Sequence, residues 1–486
     1  MPGASRHTNS SPPSRPSTTS PFRWSARSAT QISCSSTSTP PETSKSRDER
    51  RMRIDARKAD WLNVREAVER VVAAVPELDS EEKPIREAAR RVLATDLVAP
   101  VDVPRWTNSA MDGFAVRSRD VEGASAEAPV ELPVVDDIPA GGFPRSALPA
   151  RAAARVMTGA PVPEGADSVI RVEHTDGGSD VGNQRGRVRI FDRQDAGRNL
   201  RKRGEDLREG SIAIGRGSIM TPGAIGVAAS LGRATLPVVR APLVALLTSG
   251  DELVEVDRFE EVIAGRKIVS SNSYTLRTQL EDAGCSVRYL GIAADTKESL
   301  REALQGARGC DALVTSAGIS VGEHDHVKTV LEELQTDFHF WRVRIRPGSP
   351  FAFGTVGDLG GIPWFGLPGN PVSSMVTFEI LARPALLRMA GHTNLFPATV
   401  RAHLEQDVAA QQGLTQFVRV QLTPDGEGGW TARTTGPQGS GILRSLAEAD
   451  GLLIVPDQEG PVPAGANLPV IPLDPTWRML IPNVSY

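Results

Sequence analysis

From residue 243 to the helix after residue 371, short apolar runs alternate with amphipathic segments, and this alternation limits the possible folds most. Residues 243–247 and 312–314 are apolar runs of strand length, each followed by a turn of small residues. Apolar residues over 327–334 recur at the spacing of one helix face. Alternating strands and helices predict a mostly parallel sheet with helices on both faces, a three-layer αβα domain.

Polar side chains follow the predicted strands of this sheet. They are Glu252, Asp295, Ser316 and Asp325. Ligands of such sheets bind beyond the carboxyl ends of the strands. The glycine turn over residues 316–320 adds backbone N–H groups and a helix start, which suit a phosphate. The sequence therefore predicts a ligand site at this edge.

The carboxylates of Asp295 and Asp325 are the ligand type that Mg²⁺ combines with phosphate and water. The alternative is helix capping, because residues 295–298 read DTKE, an arrangement that also caps helices. The sequence HDH, residues 324–326, does not indicate zinc, because consecutive turn residues do not readily converge on one ion. Metal binding and capping both stay open at this point.

Three arginines, Arg342, Arg344 and Arg346, follow at alternating positions. If this segment is a strand, their side chains share one face. Three like charges on one face favour a bound phosphate or oxyanion between them. The alternative is a solvated charged face.

The balance of charge argues against nucleic acid as a ligand. The chain has 55 basic and 59 acidic side chains and a formal net charge of −4, which gives little attraction for a polyanion. No apolar run approaches the roughly 18 residues of a membrane span. The three cysteines form neither a disulfide framework nor a CxxC metal site, so we expect a cytoplasmic protein in a reducing compartment.

The N-terminal part of the chain differs in amino-acid composition. Residues 1–55 are rich in Ser, Thr, Pro and Arg and have few large apolar groups, so we expect a disordered tail. A transit peptide or a true translation start at Met52 are the alternatives. Helical spacing then predicts one helix over residues 64–75, with Asp60 as its N-cap, and a second through residues 85–93.

Short β-like runs separated by Gly and Pro predict two β-rich regions, residues 130–201 and the chain after about residue 392. The expected fold is a multidomain α/β plus β protein. Its parts are a disordered tail (1–55), a discontinuous N-terminal linker domain (56–79, 98–106 and 202–241), a small β-rich domain (80–97 and 107–201), the αβα domain (242–393) and a C-terminal β-barrel-like domain (394–486).

Seven motifs, in order along the chain, are similar to those of one known family. They are NSAMDGFAVR (108–117), MTGAPVP (157–163), RGEDLREG (203–210), TSGDEL (248–253), SAGISVGEHDHVK (316–328), RPGSPFAFG (346–354) and LPGNPVSS (367–374). By these motifs the chain resembles the molybdopterin molybdotransferase family, known as MoeA in bacteria and as the E domain of gephyrin. The resemblance covers most of the chain from residue 58 onward.

The resemblance implies an elongated homodimer with four domains per subunit, the central one a molybdopterin-binding-like αβα domain and the flanking ones β-rich. It implies a transferase that inserts molybdenum from molybdate into adenylylated molybdopterin, with Mg²⁺-dependent hydrolysis that releases AMP. The active site would be shared between subunits. The expected partners are small molecules, with neither nucleic acid nor membrane among them.

Through these motifs, the resemblance also identifies the positions of this chain that match the family's site residues. The resemblance implies that Asp112 and Thr158 reach the site from the second subunit. Glu252, Asp295 and Asp325 would act from the αβα domain, the last two as metal ligands. The positions implied to bind the cofactor or an oxyanion are Ser316, Gly318, Ser320, Arg342, Arg346, Ser349, Ser373, Arg419 and Ser440.

The chain departs from the family where lysines are usual, at Arg342, Arg346 and Ser349. Arg for Lys keeps the charge and adds a bidentate donor. Ser349 removes a charge, so the choice between molybdenum and tungsten stays open. Two other functions also stay open, adenylylation of molybdopterin by ATP and a cofactor-binding scaffold without turnover. The long flanking domains and the motif at 108–117 argue against the adenylylation, and Ser349 favours the scaffold.

Overall fold

A computed structural model of the chain describes residues 61–177, 186–317, 326–426, 428–458 and 460–473. By its internal contacts the chain divides into two units, a smaller one of residues 80–239 and a larger one of the residues before and after it. The chain leaves the larger unit at Asp79 and returns at Arg240, whose N–H donates to the carbonyl of Asp79 at 2.8 Å. The smaller unit is therefore an insertion whose two ends meet at one point.

The first helix, α1 (Val64–Ala74), belongs to the larger unit and begins with a capping box. The side chain of Asn63 accepts from the N–H of Glu66 at 2.9 Å, and the N–H of Asn63 donates to the Glu66 carboxylate at 3.1 Å. The sequence predicts this helix, but its cap is Asn63, because only Asn63 has a glutamate three residues later. The predicted cap, Asp60, lies outside the described residues.

The smaller unit contains the predicted β-rich region. Its strands are Ser80–Pro84 (β1), Leu97–Val98 (β2), Asn108–Ser109 (β3), Gly113–Val116 (β4), Val130–Ile138 (β5), Ala153–Val156 (β6), Ser168–Arg171 (β7), Arg187–Ile190 (β8), Leu200–Arg201 (β9), Ile212–Ile214 (β10) and Thr235–Val239 (β11). Helix α2 spans Pro222–Ser230. Five strands form one sheet in the order β7-β4-β6-β5-β8, over buried Phe114, Ile170 and Val188.

A second core of the smaller unit joins its two ends. Strand β1 pairs with β11, and β2 pairs with β10, both antiparallel. Leu93, Met220 and Val238 are buried together there. Residues 80–84 pair here with residues 235–239, and residues 97–98 pair with residues 212–214. The predicted boundaries of the domains within this unit stay a prediction.

The predicted helix through residues 85–93 is wrong. Only Ile85–Glu87 forms a 3₁₀ turn, and the backbone of Arg90 is left-handed, with φ of 65°. Leu93 then makes a β-bridge to Val238. The apolar residues have helical spacing, but antiparallel pairing with the returning chain overrides this local preference.

The larger unit continues with the αβα part. Its strands are Leu243–Ser249 (β12), Leu253–Val254 (β13), Ile268–Val269 (β14), Ser286–Ala293 (β15), Ala312–Ser316 (β16), Thr336–Phe340 (β17), Ile345–Arg346 (β18), Ala352–Val356 (β19) and Ile362–Leu367 (β20). Its helices are Phe259–Ile263 (α3), Ser271–Asp282 (α4), Lys297–Gln305 (α5), His326–Glu333 (α6), Pro371–Thr377 (α7) and Arg383–Met389 (α8).

Six of these strands form the central sheet, in the order β15-β12-β16-β20-β19-β17. The first four are parallel, and β19 and β17 are antiparallel to their neighbours. One face buries Leu246, Val314 and Phe365 against α1, α4, α7 and α8. The other face buries Leu313 and Trp364 against α5 and α6. The predicted three-layer αβα domain is confirmed.

The helix after β20 starts at Pro371, with Asn370 at its N-cap. Helices α7 and α8 are joined by a π-helical turn over Phe378–Ala382. Pro384 follows in the first turn of α8, has no N–H, and would clash with the carbonyl of Ile380 in an ordinary helix. The wider π turn relieves this clash, so the helix continues past Pro384 by way of a π turn.

The C-terminal strands form a closed barrel. They are Val400–Leu404 (β21), Thr415–Pro424 (β22), Trp430–Thr434 (β23), Gly451–Val455 (β24) and Asn467–Pro472 (β25), and helix α9 spans Arg444–Ala447. The strand order is β18-β22-β23-β21-β25-β24, and β22 also pairs with β24, which closes the sheet. Val420, Leu453 and Val470 are buried inside. The predicted C-terminal barrel is confirmed.

Within the described ranges, none of the helices combines the length and the apolar character that crossing a bilayer requires.

Candidate functional site

The carboxyl ends of four neighbouring parallel strands meet at one edge of the central sheet. Glu252 follows β12, Asp295 follows β15, Ser316 ends β16 and Asn370 follows β20. The structure therefore places Glu252, Asp295 and Ser316 at the same edge of the sheet. Three further predicted residues lie outside the described ones, and they are Gly318, Ser320 and Asp325.

Asp251 and Asp295 are joined by two reciprocal hydrogen bonds across the ends of β12 and β15. The N–H of Asp295 donates to Oδ1 of Asp251 at 3.1 Å, and the N–H of Asp251 donates to Oδ2 of Asp295 at 3.4 Å. The carboxylate of Glu252 folds back over Gly250. A Cβ placed on Gly250 would lie only 2.8 Å from Oε2 of Glu252. Position 250 therefore has room for glycine only while Glu252 keeps this position.

The alternative role for Asp295, helix capping, is not what the structure shows. The N-cap of α5 is Thr296, whose side-chain oxygen accepts from the N–H of Ser299 at 3.2 Å. The carboxylate of Asp295 is exposed beside Asp251. Asp295 is therefore available to a ligand.

The donor set at this edge fits Mg²⁺ that shares its coordination with a substrate. Asp251, Glu252 and Asp295 are exposed, so their carboxylate oxygens can reach a ligand from solvent. Over the residues that the structure describes, no cluster of three or more His, Cys, Asp or Glu side chains is arranged to hold a metal. Mg²⁺ commonly takes one or two carboxylates together with water and phosphate, so the paired Asp251 and Asp295 suit an ion completed by the substrate.

Asn272 is a site residue that the sequence reasoning missed. It lies in the first turn of α4 and is only 8% exposed. Its Nδ2 donates to Oγ of Ser316 at 2.7 Å and to the carbonyl of Gly369 at 2.8 Å. Asn272 thus ties the carboxyl ends of β16 and β20 together. The available signal was its place in the polar run SSNS at a predicted helix start.

A hydrogen-bond network holds the segment that carries Glu252 against α4 and β15. The hydroxyl of Tyr289 donates to Oε1 of Glu255 at 2.6 Å and lies 2.9 Å from Oγ of Ser273. Burial, with the hydrogen bond to Glu255, raises the pKa of Tyr289 to about 12. The hydroxyl therefore stays protonated and keeps donating at neutral pH.

A loop of the C-terminal barrel meets the N-terminus of α7. Nδ2 of Asn370 donates to Oγ of Ser440 at 3.1 Å, and the N–H of Val372 donates to the carbonyl of Ser440 at 3.1 Å. Ser373, which is 4% exposed, belongs to the same turn of α7. The segments that carry the predicted residues Ser373 and Ser440 are therefore in direct contact.

The loop that carries Ser349 packs on the same helix. A Cβ on Gly348 would lie 2.2 Å from Cγ2 of Thr377 and 3.3 Å from the carbonyl of Ser373, and the φ of Gly348 is +103°. Both the space and the backbone therefore require glycine at position 348. Oγ of Ser349 donates to the carbonyl of Ile345 at 2.6 Å, so its hydroxyl closes its own loop.

Arg419 is a buried cation at the base of the loop that ends in Ser440. It is 1% exposed. Its Nε donates to Oγ of Ser445 at 3.1 Å, and its Nη2 donates to the carbonyl of Gly439 at 3.1 Å. Burial lowers the pKa of Arg419 to about 10. The guanidinium is therefore charged at neutral pH and adds positive potential beneath this loop.

Arg342 and Arg346 have different neighbours. The guanidinium of Arg342 lies 4.9 Å from the ring centroid of Trp61, and Nη1 of Arg346 donates to Oε1 of Gln411 at 2.7 Å. Burial alternates along this segment as in a strand, although only Ile345–Arg346 is regular. The two arginines lie on the less buried side, but neighbouring side chains hold each guanidinium separately.

In the smaller unit, the predicted residues Asp112 and Thr158 are in contact. Oδ1 of Asp112 accepts from the N–H of Thr158 at 2.7 Å and from its hydroxyl at 2.8 Å. The backbone N–H of Thr158 and then its hydroxyl lower the pKa of Asp112. The pair is exposed, so an ionised carboxylate is presented at the surface of this unit.

Family profiles match three consecutive parts of the chain. Residues 62–232 match the MoeA N-terminal region (domain I and II). Residues 245–388 match a probable molybdopterin binding domain. Residues 401–473 match the MoeA C-terminal region (domain IV).

Individual proteins give the same result. The chain is 37% identical to molybdopterin molybdenumtransferase 2 of Mycobacterium tuberculosis over 393 residues, which are 80% of this chain and 93% of that protein. It is 36% identical to the molybdopterin molybdenumtransferase of Synechococcus elongatus, over 84% of this chain and 99% of that protein. The crystal structure of the molybdopterin biosynthesis moeA protein of Pyrococcus horikoshii OT3 superimposes with a TM-score of 0.72 at 28% identity, covering 85% of this chain and all of that chain.

Proposed function

Because this chain belongs to the MoeA family of molybdopterin molybdenumtransferases, we propose that it inserts molybdenum from molybdate into adenylylated molybdopterin and releases AMP. The reaction is a step in the biosynthesis of the molybdenum cofactor. The observation that carries the proposal is the carboxylate edge, where the paired Asp251 and Asp295 and the folded Glu252 stand beside Ser316.

In this proposal Asp295, with Asp325, holds Mg²⁺, and Asp251 supports Asp295. When bound, Mg²⁺ neutralises charge on a phosphate anhydride and lowers the pKa of a bound water. Asp251 fixes the carboxylate of Asp295 through the reciprocal hydrogen bonds. Glu252, held over Gly250, is placed to orient a water molecule or accept its proton.

Phosphate and pterin recognition is assigned to the turn after β16 and to the two arginines that follow it. The Oγ of Ser316 accepts from Asn272, and its hydroxyl proton is donated to a substrate oxygen in the proposal. Gly318 and Ser320 add backbone and hydroxyl donors in the proposal. Arg342 and Arg346 are exposed enough to bind phosphate in exchange for their present neighbours, and a guanidinium binds a phosphate bidentately.

Molybdate, as a tetrahedral oxyanion, is assigned to the junction of α7 and the barrel. Ser373 and Ser440 lie on contacting segments there, and buried Arg419 supplies a fixed charge beneath them. Fixed donors in a shielded site stabilise an anion better than flexible ones. Arg346 and Ser349 complete the set, and Ser349 in place of a cation leaves the choice between molybdate and tungstate to be measured.

The proposal also includes a cytoplasmic homodimer in which Asp112 and Thr158 reach the site of the second subunit. The ionised, exposed carboxylate of Asp112 supports this assignment. An exposed pair that is already ordered by two hydrogen bonds loses little freedom when it meets a ligand.

The test is a reconstitution with purified full-length protein, adenylylated molybdopterin, molybdate and Mg²⁺. Release of AMP together with active cofactor supports the proposal. Formation of adenylate from ATP and molybdopterin would instead favour the adenylyltransferase, and binding without either reaction would favour a scaffold. Replacing molybdate with tungstate in the same assay measures the choice of metal.

A further inference from the structure

Asn272 has one buried polar atom for which the described part of the chain provides no hydrogen-bond donor. Its Nδ2 donates to Ser316 and Gly369. The carbonyl of Gly369 can only accept, so the nitrogen of the amide must face it, and this fixes which atom is Oδ1. Oδ1 is buried and meets no hydrogen-bond donor among the residues that the structure describes.

A buried acceptor without a donor is unfavourable, and few remain in native proteins. A leucine or methionine would fill the same volume without this cost. The two hydrogen bonds donated by Nδ2 explain why the amide nitrogen is present at position 272. They do not explain the amide oxygen. The oxygen is explained if a bound ligand supplies the donor that the described residues do not.

The place of Oδ1 identifies the kind of donor. Asn272 touches the last residue of β16 and the residue two positions after β20, which is the ligand edge of the sheet. It also lies in the first turn of α4, where N–H groups of the helix start are available to a ligand. Asn272 is only 8% exposed to solvent, so a ligand that covers it would leave a strong hydrogen bond shielded from water.

We propose that Oδ1 of Asn272 accepts a hydrogen bond from an N–H or O–H group of the bound substrate. Asn272 is then a binding residue that joins substrate recognition to the position of Ser316. This inference rests on the proposed function, since adenylylated molybdopterin offers such donors in two places. The pterin ring carries N–H groups, and the ribose and adenine of the AMP half carry O–H and N–H groups.

The experiment compares two substitutions at Asn272 with a matched control. Asn272→Ala removes both the donor and the acceptor, whereas Asn272→Asp keeps an oxygen at the place of Oδ1 and loses the amide nitrogen. The control is Thr336→Val, which removes a buried hydroxyl that also has no hydrogen-bond partner among the described residues. Thr336 starts β17, the strand at the far edge of the sheet. Binding of adenylylated molybdopterin, molybdopterin and AMP is measured separately by calorimetry, without Mg²⁺ or molybdate, and unfolding midpoints are recorded for every variant.

We expect Asn272→Ala to raise the Kd for adenylylated molybdopterin about tenfold, the effect of one lost hydrogen bond to a buried group. Thr336→Val should bind like the wild type. Asn272→Asp should bind more tightly than Asn272→Ala, although its added negative charge acts against this order. The probe that loses affinity, molybdopterin or AMP, identifies the half of the substrate that carries the donor.

Equal affinity of Asn272→Ala and the wild type for all three probes would overturn the inference. An equal loss in both Asn272 variants would assign the residue to the tie between strands alone and would overturn it as well. If Asn272→Ala does not fold, Asn272→Asp decides, because a Kd within about threefold of the wild type supports the acceptor role and a larger rise refutes it. If the wild type binds none of the probes, the proposed function itself fails.

Discussion

Oδ1 of Asp112 accepts both the N–H and the hydroxyl of Thr158, at 2.7 and 2.8 Å. Two donors on one oxygen favour the ionised form. We predict that Thr158→Val, which keeps the N–H and removes the hydroxyl, raises the pKa of Asp112 toward its ordinary value. The change is measured by NMR titration of the Asp112 carboxyl carbon.

The same variant should slow AMP release if Asp112 acts at the site as proposed. Thr175→Val is the control, since the hydroxyl of Thr175 donates to a carbonyl of its own turn in the same unit. A Thr158→Val protein with an unchanged Asp112 pKa would show that the backbone N–H alone sets the ionisation.

Asp295→Asn should abolish Mg²⁺-dependent AMP release and leave the fold intact. The asparagine keeps the shape and the hydrogen bond from Asp251, but removes the charge that attracts a divalent ion. We expect a loss of about 100-fold or more, on the scale of the several kcal/mol that a metal ion contributes. The rate of AMP release is measured over a range of Mg²⁺ concentrations.

The control for Asp295 is Asp337→Asn. The side chain of Asp337 is 85% exposed, on β17 at the far edge of the sheet. Asp325→Asn should resemble Asp295→Asn if both hold the ion. Normal turnover by either site variant would remove that residue from the proposed metal site.

Arg419→Met should weaken both the barrel and the binding of molybdate. It deprives the Gly439 carbonyl and the Ser445 hydroxyl of a charged donor, which we expect to cost about 2 kcal/mol of unfolding free energy. The molybdate concentration for half-maximal AMP release should rise. Denaturant unfolding and the molybdate dependence of the rate are the two measurements.

Arg433→Met is the matched control for Arg419→Met, because Arg433 is exposed on the same barrel and donates to the side chain of Gln421 at 3.3 Å. A loss of stability without any change in molybdate dependence would restrict Arg419 to a structural role.

Asp311→Asn should destabilise the larger unit. Oδ2 and Oδ1 of Asp311 accept from Arg240 at 2.6 and 2.7 Å, and Oδ2 also accepts from the N–H of Leu243 at 2.8 Å. Burial alone would raise the pKa of Asp311, but the hydrogen bonds from Arg240 and Leu243 outweigh it and lower the pKa. We expect a loss of about 2 kcal/mol at pH 7.

The sign of the pH dependence follows from the lowered pKa. Because the folded state binds the proton of Asp311 less tightly than the unfolded state, its contribution is present above the unfolded pKa of about 3.9 and is lost as the pH falls through the folded pKa. The stabilities of wild type and Asp311→Asn should therefore converge in acid. A constant difference between them from pH 7 down to pH 3 would contradict this account, and Asp358→Asn, at an exposed carboxylate, is the control.

The αβα domain was predictable because its strand segments and its helix segments both have clear apolar patterns, and these patterns alternate along the chain. Apolar runs of strand length and the i, i+3, i+4 spacing of residues 327–334 leave few alternatives, and strand ends in a parallel sheet share one edge. This is why Glu252, Asp295 and Ser316 could be placed together from the sequence. The barrel was predictable at the level of strands and turns.

Three features were not predictable because they depend on contacts between distant segments. Residues 85–93 have helical spacing, but β-pairing with residues more than a hundred positions later decides their structure. Asn63 replaces Asp60 as the helix cap because of a side-chain bond to Glu66. Asn272 joins two strand ends that are far from it in sequence, and a single asparagine at a helix start gives no sign of this.

The hydrogen bond between the N–H of Arg240 and the carbonyl of Asp79 has a consequence for how this architecture can be rearranged. Since departure and re-entry of the polypeptide are adjacent, everything between them can be replaced by a tight linker without stretching the framework that remains. Genetic exchange or deletion of that module would leave the carboxylate edge and the barrel with their own hydrophobic cores. The larger unit can therefore keep its fold without the inserted module, whereas the proposed reaction still needs the module for Asp112 and Thr158.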